Sequence, residues 1–438
     1  MKKRLLRFAA IALSVMMIVS LAGCGSKGKS SSGGGDADKT ITFWNIGAEG
    51  VNKVLLSYPV ELFNEQSDSG YEVEFVATQN DSYKEKLVVA MSSGECPDMY
   101  TSWSGGPMNE YIESGFAQPL DDLYEKYGLT DRLMEAGIAQ STYDGKIYAV
   151  PTYNISVAGT YYNKEMFEKY GLEVPKTISE LEAVCAKLKE NGITPFALAN
   201  STKWTGSMYF QLLAARYGGL EPFQAAVDGS GSFEDESFVY AGEKIQEWVE
   251  KGWFPEGVNS LSEDDGQGRQ LLYQDKAAMD LIGSWYTGTL KSDSEEFYEK
   301  VGWFPFPAVD GKEDNLPIAL GTVGDQFISF NCEGDKLDAA FELATYFSSE
   351  EAKAKDIENG YLPPTPDVAT LVDDPISQQV LSTIADATAV QLWYDQYLPP
   401  AVADAHLNTC QELFGLTTTP EKANEVLQAA MQEYLDEK

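Results

Sequence analysis

The feature that most constrains this chain's fold is a hydrophobic period that switches repeatedly between two and 3.6 residues from Thr40 onward. Ile41 and Phe43 alternate in a first strand, and Val73, Phe75 and Ala77 in a second. Ser82-Tyr83-Lys84-Glu85 has capping-box spacing, so a helix is expected from there to about Gly94, before a third strand at Met99 and Tyr100. Asp144-Gly145 is a tight-turn signal leading into Ile147-Tyr148-Ala149-Val150. Thr177-Ile178-Ser179-Glu180 is a second capping box, after which Leu181, Val184, Cys185 and Leu188 recur at helical spacing as far as Gly192. Thr419 and Pro420 start a closing helix with Ala423, Val426, Leu427, Ala430 and Tyr434 on one face. Short strands alternating with helices specify an α/β fold, with parallel sheets covered by helices.

At 438 residues the chain exceeds the ~250–300 at which a single core stops growing, so at least two packed units are expected. Its 32 Lys and Arg against 68 Asp and Glu give a formal charge of −36, which repels phosphate and excludes nucleic acid as a partner. With one histidine, His406, no site needing two imidazoles can form, and no metal or cofactor is expected. His406 sits among Ala403, Asp404, Ala405 and Leu407 on a helix and reads as structural. GxSxG, Walker-type and GxGxxG motifs are absent, so no catalytic residue is assigned. Glu263-Asp264-Asp265 lacks EF-hand spacing and reads as a solvated surface loop.

Lys2, Lys3, Arg4 and Arg7 precede an apolar run from Phe8 to Leu21, too short for the ~20 residues of a spanning helix. The run ends in Leu21-Ala22-Gly23-Cys24, which resembles the lipobox of bacterial lipoproteins. The resemblance implies an export signal over residues 1–23, lipidation of Cys24, and a lipid anchor on the extracellular face of a cytoplasmic membrane, as in a Gram-positive envelope. Residues 24–39, rich in Ser, Gly and Lys, read as a flexible tether. Cys96, Cys185, Cys332 and Cys410 form no CxxC pair, and no disulfide is expected.

The 8 Trp, 24 Tyr and 20 Phe exceed what a core of this size requires, so some are expected in a site. Trp44 lies at the end of the first strand, Trp103 just past the third, and Trp285 after Ala278-Met279-Asp280-Leu281-Ile282-Gly283-Ser284. Open α/β sheets place their ligand crevice beyond the carboxyl ends of strands, where an indole can stack on the C–H face of a pyranose. For any one of these residues, core packing is the alternative.

The stretches Ile41-Thr42-Phe43-Trp44, Ala90 to Asp98, Gly145 to Pro151, Tyr162 to Phe167 and Ala277 to Trp285 give the chain its resemblance to a known family. In order and spacing it resembles the carbohydrate-binding family of ABC-importer solute-binding lipoproteins. Thr160 departs from that pattern, where an apolar residue is usual. The resemblance implies two α/β lobes of the periplasmic-binding-protein type, with a sugar cleft between them. Lobe one would hold residues 40–153 and about 326–370, and lobe two residues 159–320 and about 374–438. The chain would cross near Asn154–Ala158, Gly321–Asp325 and Thr370–Asp373. Trp285 and Trp204 would be the stacking platforms of lobe two, and Trp44 and Trp103 those of lobe one. Glu49, Asn80 and Asp81 would bind hydroxyls, with helix capping the alternative for Asp81. Tyr153 at the first crossing, Tyr361, Trp393 and Asp395 complete the candidates. The implied protein is a monomer that captures a neutral oligosaccharide, without chemical change, for a permease pair and its ATPase. Two rival readings, a surface-anchored glycoside hydrolase using two carboxylates and a glycan-adhesive lipoprotein, stay open at this point.

Overall fold

The computed structural model describes residues 39–437; Cys24 and nearly all of the expected tether lie outside the described residues. Residues from Thr40 onward pack as one compact unit built around two sheets. The first sheet contains β1 (Thr40–Asn45), β2 (Glu72–Ala77), β3 (Met99–Ser102), β6 (Ala149–Thr152) and β12 (Gln326–Phe330), in the order β2-β1-β3-β12-β6. Strands β2, β1 and β3 are parallel, joined by helices Gly50–Gln66 and Asn80–Ser93, whereas β12 runs antiparallel to both of its neighbours. Between β3 and β6, the hairpin β4 (Thr142–Tyr143) and β5 (Lys146–Ile147) turns at Asp144 and Gly145, whose φ values of 46° and 76° suit a primed hairpin turn.

The second sheet is organised around β7 (Ile155–Asn163), with β8 (Thr194–Phe196), β9 (Ala277–Gly283), β10 (Val301–Phe304), β11 (Ile318–Val323) and β13 (Ala389–Gln391). One edge of β7 pairs with β11 through Val157 and with β10 from Thr160 onward; the other edge pairs with β9. Thr160 is fully buried at this junction. Every residue of β9 is buried, so apolar side chains occupy both of its faces instead of alternating, with Asp280 the charged exception.

Each lobe has its own core. Ile41, Phe43, Leu56, Phe63, Ile328 and Phe341 cluster on the first sheet, and Phe196, Tyr209, Ile245, Trp248 and Met279 on the second. The helix Ile178–Glu190 is capped by Thr177, whose hydroxyl accepts from the Glu180 amide, and it buries Leu181, Val184, Cys185 and Leu188. The helix Asn80–Ser93 begins two residues before its expected capping box, with Gln79 as an N-cap that makes no side-chain bond, and it ends at Gly94 with φ 73°. In the last helix, Pro420–Glu437, the buried stripe is Ala423, Asn424, Leu427 and Met431. Val426 is instead exposed, because the docked face is rotated by part of a turn from the expected one.

The chain passes between lobes at Tyr153–Asn154 and again at Gly324–Asp325. Ile155–Ala158, expected within the first crossing, already belong to β7. A third passage lies at Tyr361–Leu362, earlier than expected, since Tyr361 packs in the first lobe's core and Leu362 in a cluster on the second sheet. Asn154 ties the passages together: its side-chain oxygen accepts from the Leu362 amide at 2.7 Å, and its backbone oxygen from the Gly324 amide at 3.1 Å. Cys96, Cys185, Cys332 and Cys410 are free thiols. Among the described residues no helix is long and apolar enough to cross a membrane.

Candidate ligand-binding cleft

Where the crossings bring the lobes together they enclose a cavity of about 650 Å³, within the ordinary range for a small-molecule site. Its geometry is set by strand ends. At the end of β9 the buried Ser284 hydroxyl donates to the Ile155 carbonyl at 2.7 Å and accepts from the Val157 amide at 3.1 Å. This pins the next residue, Trp285. One face of the Trp285 ring lies on Gly283, where a Cβ would sit 2.0 Å from a ring carbon. Trp204 and Trp393 approach at 6.0 and 5.9 Å between ring centroids, inclined by 60° and 71°. The three indoles form a corner held by edge-to-face contacts, and all three line the cavity.

Trp204 reaches this corner because it opens the helix Trp204–Gly218. The Asn200 side chain accepts from the Gly206 amide there, and the Thr205 hydroxyl donates to the Ala199 carbonyl. Trp393 immediately precedes the short helix Tyr394–Tyr397 and is itself buried. Across the cleft, Trp103 lines the cavity with Lys84 Nζ 4.8 Å from its ring centroid and Tyr83 packed edge-on at 6.0 Å.

Glu49, Asn80, Trp103, Tyr153, Trp204, Trp285, Trp393 and Asp395 all line the cavity. Three other expected residues do not. Trp44 lies on the opposite face of β1 from Ile41 and Phe43, as period-two geometry requires, beneath the helix Asn80–Ser93 with Lys86 Nζ 3.8 Å above its ring. Tyr361 is buried behind the cleft, its ring 4.7 Å from that of Tyr153 and tilted by 42° to it, and its hydroxyl donates to Asn52 Oδ1 at 3.0 Å. Tyr153 donates to the same Asn52 oxygen from a left-handed backbone conformation, φ 79°, that a non-glycine residue adopts at a cost.

Asp81 stands at the rim, where its amide donates to Asp264 Oδ2 of the opposite lobe at 3.0 Å. Burial, then the Asp264 charge, push its carboxyl up to about 6, opposed by Lys84 and by the Asn80 and Trp204 side chains. The loop Glu263-Asp264-Asp265 is therefore not free surface: it lines the cleft, and Glu263 is buried. Arg269 holds the loop, its Nη1 3.5 Å from Glu263 Oε1 and its Nε donating to Asp293 Oδ2 at 2.8 Å. Burial and the Asp280 charge hold Glu263 well above the usual carboxylate range.

Residues that sequence reasoning missed include Lys84, Asp264, Arg269 and Asp325. Asp325 follows Gly324 at the second crossing, and burial raises its carboxyl to about 6. An apolar strand ending in Gly-Asp was the available signal; Lys84 and Arg269 carried none, being single charges on amphipathic helices.

A second contact joins the lobes at the far rim. Gly105 and Gly106, where the helix Gly106–Glu113 begins, lie against the backbone of Gln396 and Leu398; a Cβ on Gly106 would stand 2.0 Å from the Leu398 carbonyl oxygen. The arrangement is a cavity with an aromatic corner and several carboxylates, suited to holding a polyhydroxylated molecule.

Comparison with known proteins gives the same architecture. A structure from work on xylan utilization by the thermophilic bacterium Caldanaerobius polysaccharolyticus superposes with a TM-score of 0.82 at 28% identity, covering 89% of this chain and 99% of that one. A chitin oligosaccharide binding protein superposes with a TM-score of 0.81 at 25% identity, covering 90% and 98%. An uncharacterized ABC transporter extracellular-binding protein of Pyrococcus horikoshii is 30% identical over 221 residues, covering 50% of this chain. That match spans about half of the relative, 49% of its length. Two of these three, the chitin oligosaccharide binding protein and the Pyrococcus horikoshii relative, are binding proteins by description. The family model for bacterial extracellular solute-binding proteins matches residues 49–354, spanning both lobes and most of the cleft, and the chain belongs to that family.

Proposed function

We propose that this protein is the cell-surface substrate-binding component of an ABC sugar importer, capturing a neutral oligosaccharide and closing its lobes around it for delivery to a permease. The observation that carries this reading is the corner of Trp204, Trp285 and Trp393 facing carboxylates in one cavity. Aromatic faces match the apolar C–H faces of pyranose rings, and carboxylates accept from paired hydroxyls. The structural likeness to a chitin oligosaccharide binding protein supports the same ligand class. The hinge in this reading is the set of three passages around Asn154, and the anchor is a lipid on Cys24. The working unit is a monomer whose partners are a permease pair and an ATPase.

The test is a thermal-shift screen of the purified protein against neutral xylo-, chito-, malto- and galacto-oligosaccharides, followed by calorimetry and solution scattering on the best ligand. At 100 times its dissociation constant a ligand raises stability by ~2.7 kcal/mol, with a smaller radius of gyration and no release of reducing ends. A panel without any binder overturns the sugar reading. Binding to polymer without compaction replaces capture by adhesion.

A further inference from the structure

Behind the aromatic corner lies a buried polar chain that stacking and hydroxyl binding leave unused. His406, the one histidine, sits fully buried on the helix Pro400–Phe414, with its Nε2 2.7 Å from the Ser207 hydroxyl. Ser207 and Gln211 are one turn apart on the helix Trp204–Gly218, and Gln211 Nε2 donates to Ser207 Oγ at 2.5 Å. Gln211 Oε1 in turn accepts from the Tyr394 amide at 3.1 Å. Tyr394 stands between Trp393 and Asp395, both of which line the cavity.

The direction of every proton in this chain follows from its last link. A backbone amide can only donate, so Gln211 turns Oε1 to Tyr394 and its NH2 group to Ser207. Ser207 Oγ therefore accepts from Gln211, which leaves its own proton for His406 Nε2. An imidazole that accepts at Nε2 is neutral and carries its proton on Nδ1, here 3.7 Å from Cys410 Sγ, a weak acceptor one turn along the same helix. Burial, which holds the imidazole down at about 3, keeps that neutral form at physiological pH. The short helix Tyr394–Tyr397 needs the support, since its N-cap residue, Trp393, makes no side-chain cap bond and Gln211 supplies an acceptor in its place.

We propose that His406, Ser207 and Gln211 are positioning residues for the aromatic corner, a one-way hydrogen-bond chain that starts at neutral His406 and ends by fixing the Tyr394 amide, and with it Trp393, against Trp204. The two indoles stand on the two elements the chain links, because Trp204 opens the helix that carries Ser207 and Gln211. Ser207 and His406 are fully buried outside the cavity lining, so they act on a ligand only through Gln211. The consequence for binding rests on the sugar reading above, whereas the order of protons in the chain does not.

A single histidine makes the first measurement direct, because nitrogen NMR on untagged protein grown with labelled histidine reports His406 alone. The wild type is expected to show the tautomer protonated on Nδ1 at neutral pH, and a proton on Nε2 overturns the chain. The second measurement compares wild type with Ser207→Ala and Gln211→Met, each checked by melting. Without ligand, amide exchange over residues 393–398 is expected to quicken at least about tenfold in both variants, and that of the helix Ile178–Glu190 in the same lobe to stay as it was. Affinity for the best neutral oligosaccharide is expected to fall about tenfold, the scale of a lost buried hydrogen bond. Exchange that is unchanged, or that rises alike in both segments, overturns the proposal, as does affinity kept within about threefold in both variants; each leaves the sugar reading intact. A wild type that binds no oligosaccharide overturns the sugar reading, with the tautomer and the exchange still deciding the chain.

Discussion

Trp285 and Trp248 show how one residue type takes two roles at the same core. Trp248 is fully buried, stacks at 6.0 Å on Phe196, and donates its indole N–H to Glu182 at 3.0 Å. Trp285 is half-buried, lies on Gly283, and packs against both lobes' cores as well as the cavity. Trp285→Ala is expected to abolish sugar binding while costing clearly less than the ~3–5 kcal/mol of a buried Trp truncation, which Trp248→Ala should approach. Urea denaturation of the two variants beside calorimetric titration checks this, and equal stability losses with binding retained by Trp285→Ala would return Trp285 to the core. Position after an apolar strand made Trp285 legible in sequence. The same argument failed for Trp44, because a residue's place along a strand does not say which face it occupies unless the alternation with Ile41 and Phe43 is followed through.

At the scale of elements, the closure proposed above would turn on the helix Gly106–Glu113 and the Trp393–Leu398 segment opposite it. Gly106 is in the first turn of a helix, where alanine is favoured over glycine by up to ~1 kcal/mol, so nothing within its own lobe opposes a side chain there. Against Leu398 of the other lobe, however, a Cβ is blocked by a backbone carbonyl that cannot swing aside. Gly106→Ala is therefore expected to fold normally and to hold the lobes apart. Its scattering radius should exceed that of wild type and change little with ligand, with affinity reduced at least about tenfold. A variant that compacts like wild type would show that this contact does not gate closure. The acidic loop Glu263-Asp264-Asp265 marks the limit of element-level reading: its composition suggests solvated surface, but Arg269 and the opposing lobe draw it into the cleft.

For the whole molecule, the cleft between the lobes has a pH signature. Burial lifts Asp81 and Asp325 from an ordinary 3.8 to about 6, so between these values the native state binds more protons than the unfolded chain does. Stability contributed by these groups is then present at the acidic end of the window and lost as pH rises through about 6. Asp374 and Asp367, whose carboxyls are lowered in the fold, act in the opposite sense but below the ordinary carboxylate range. Calorimetric melting temperature is expected to fall from about pH 4.5 to 6.5, and the double variant Asp81→Asn, Asp325→Asn to show a shallower slope. A melting temperature that rises across this window, alike in both proteins, would contradict the assignment. His406 acts in the opposite sense: burial holds its native imidazole, beside Ser207, down at about 3, so across this window the unfolded chain binds its proton and that contribution rises with pH, offsetting part of the fall.

By itself the sequence determined the α/β class, the caps at Thr177 and Gly94, the hairpin turn at Asp144-Gly145, the family resemblance and most of the aromatic lining, because each depends on local spacing or chain order. Only the tertiary structure decided that Tyr361 backs the cleft rather than lining it, that Asp81 meets Asp264, that Gly106 meets Leu398, and that Lys84, Asp325 and Asp395 line one cavity. Asp81 and Asp264 are 183 positions apart in the chain. No local period or motif couples residues at that separation; three chain passages between the lobes do, by setting two packed lobes face to face.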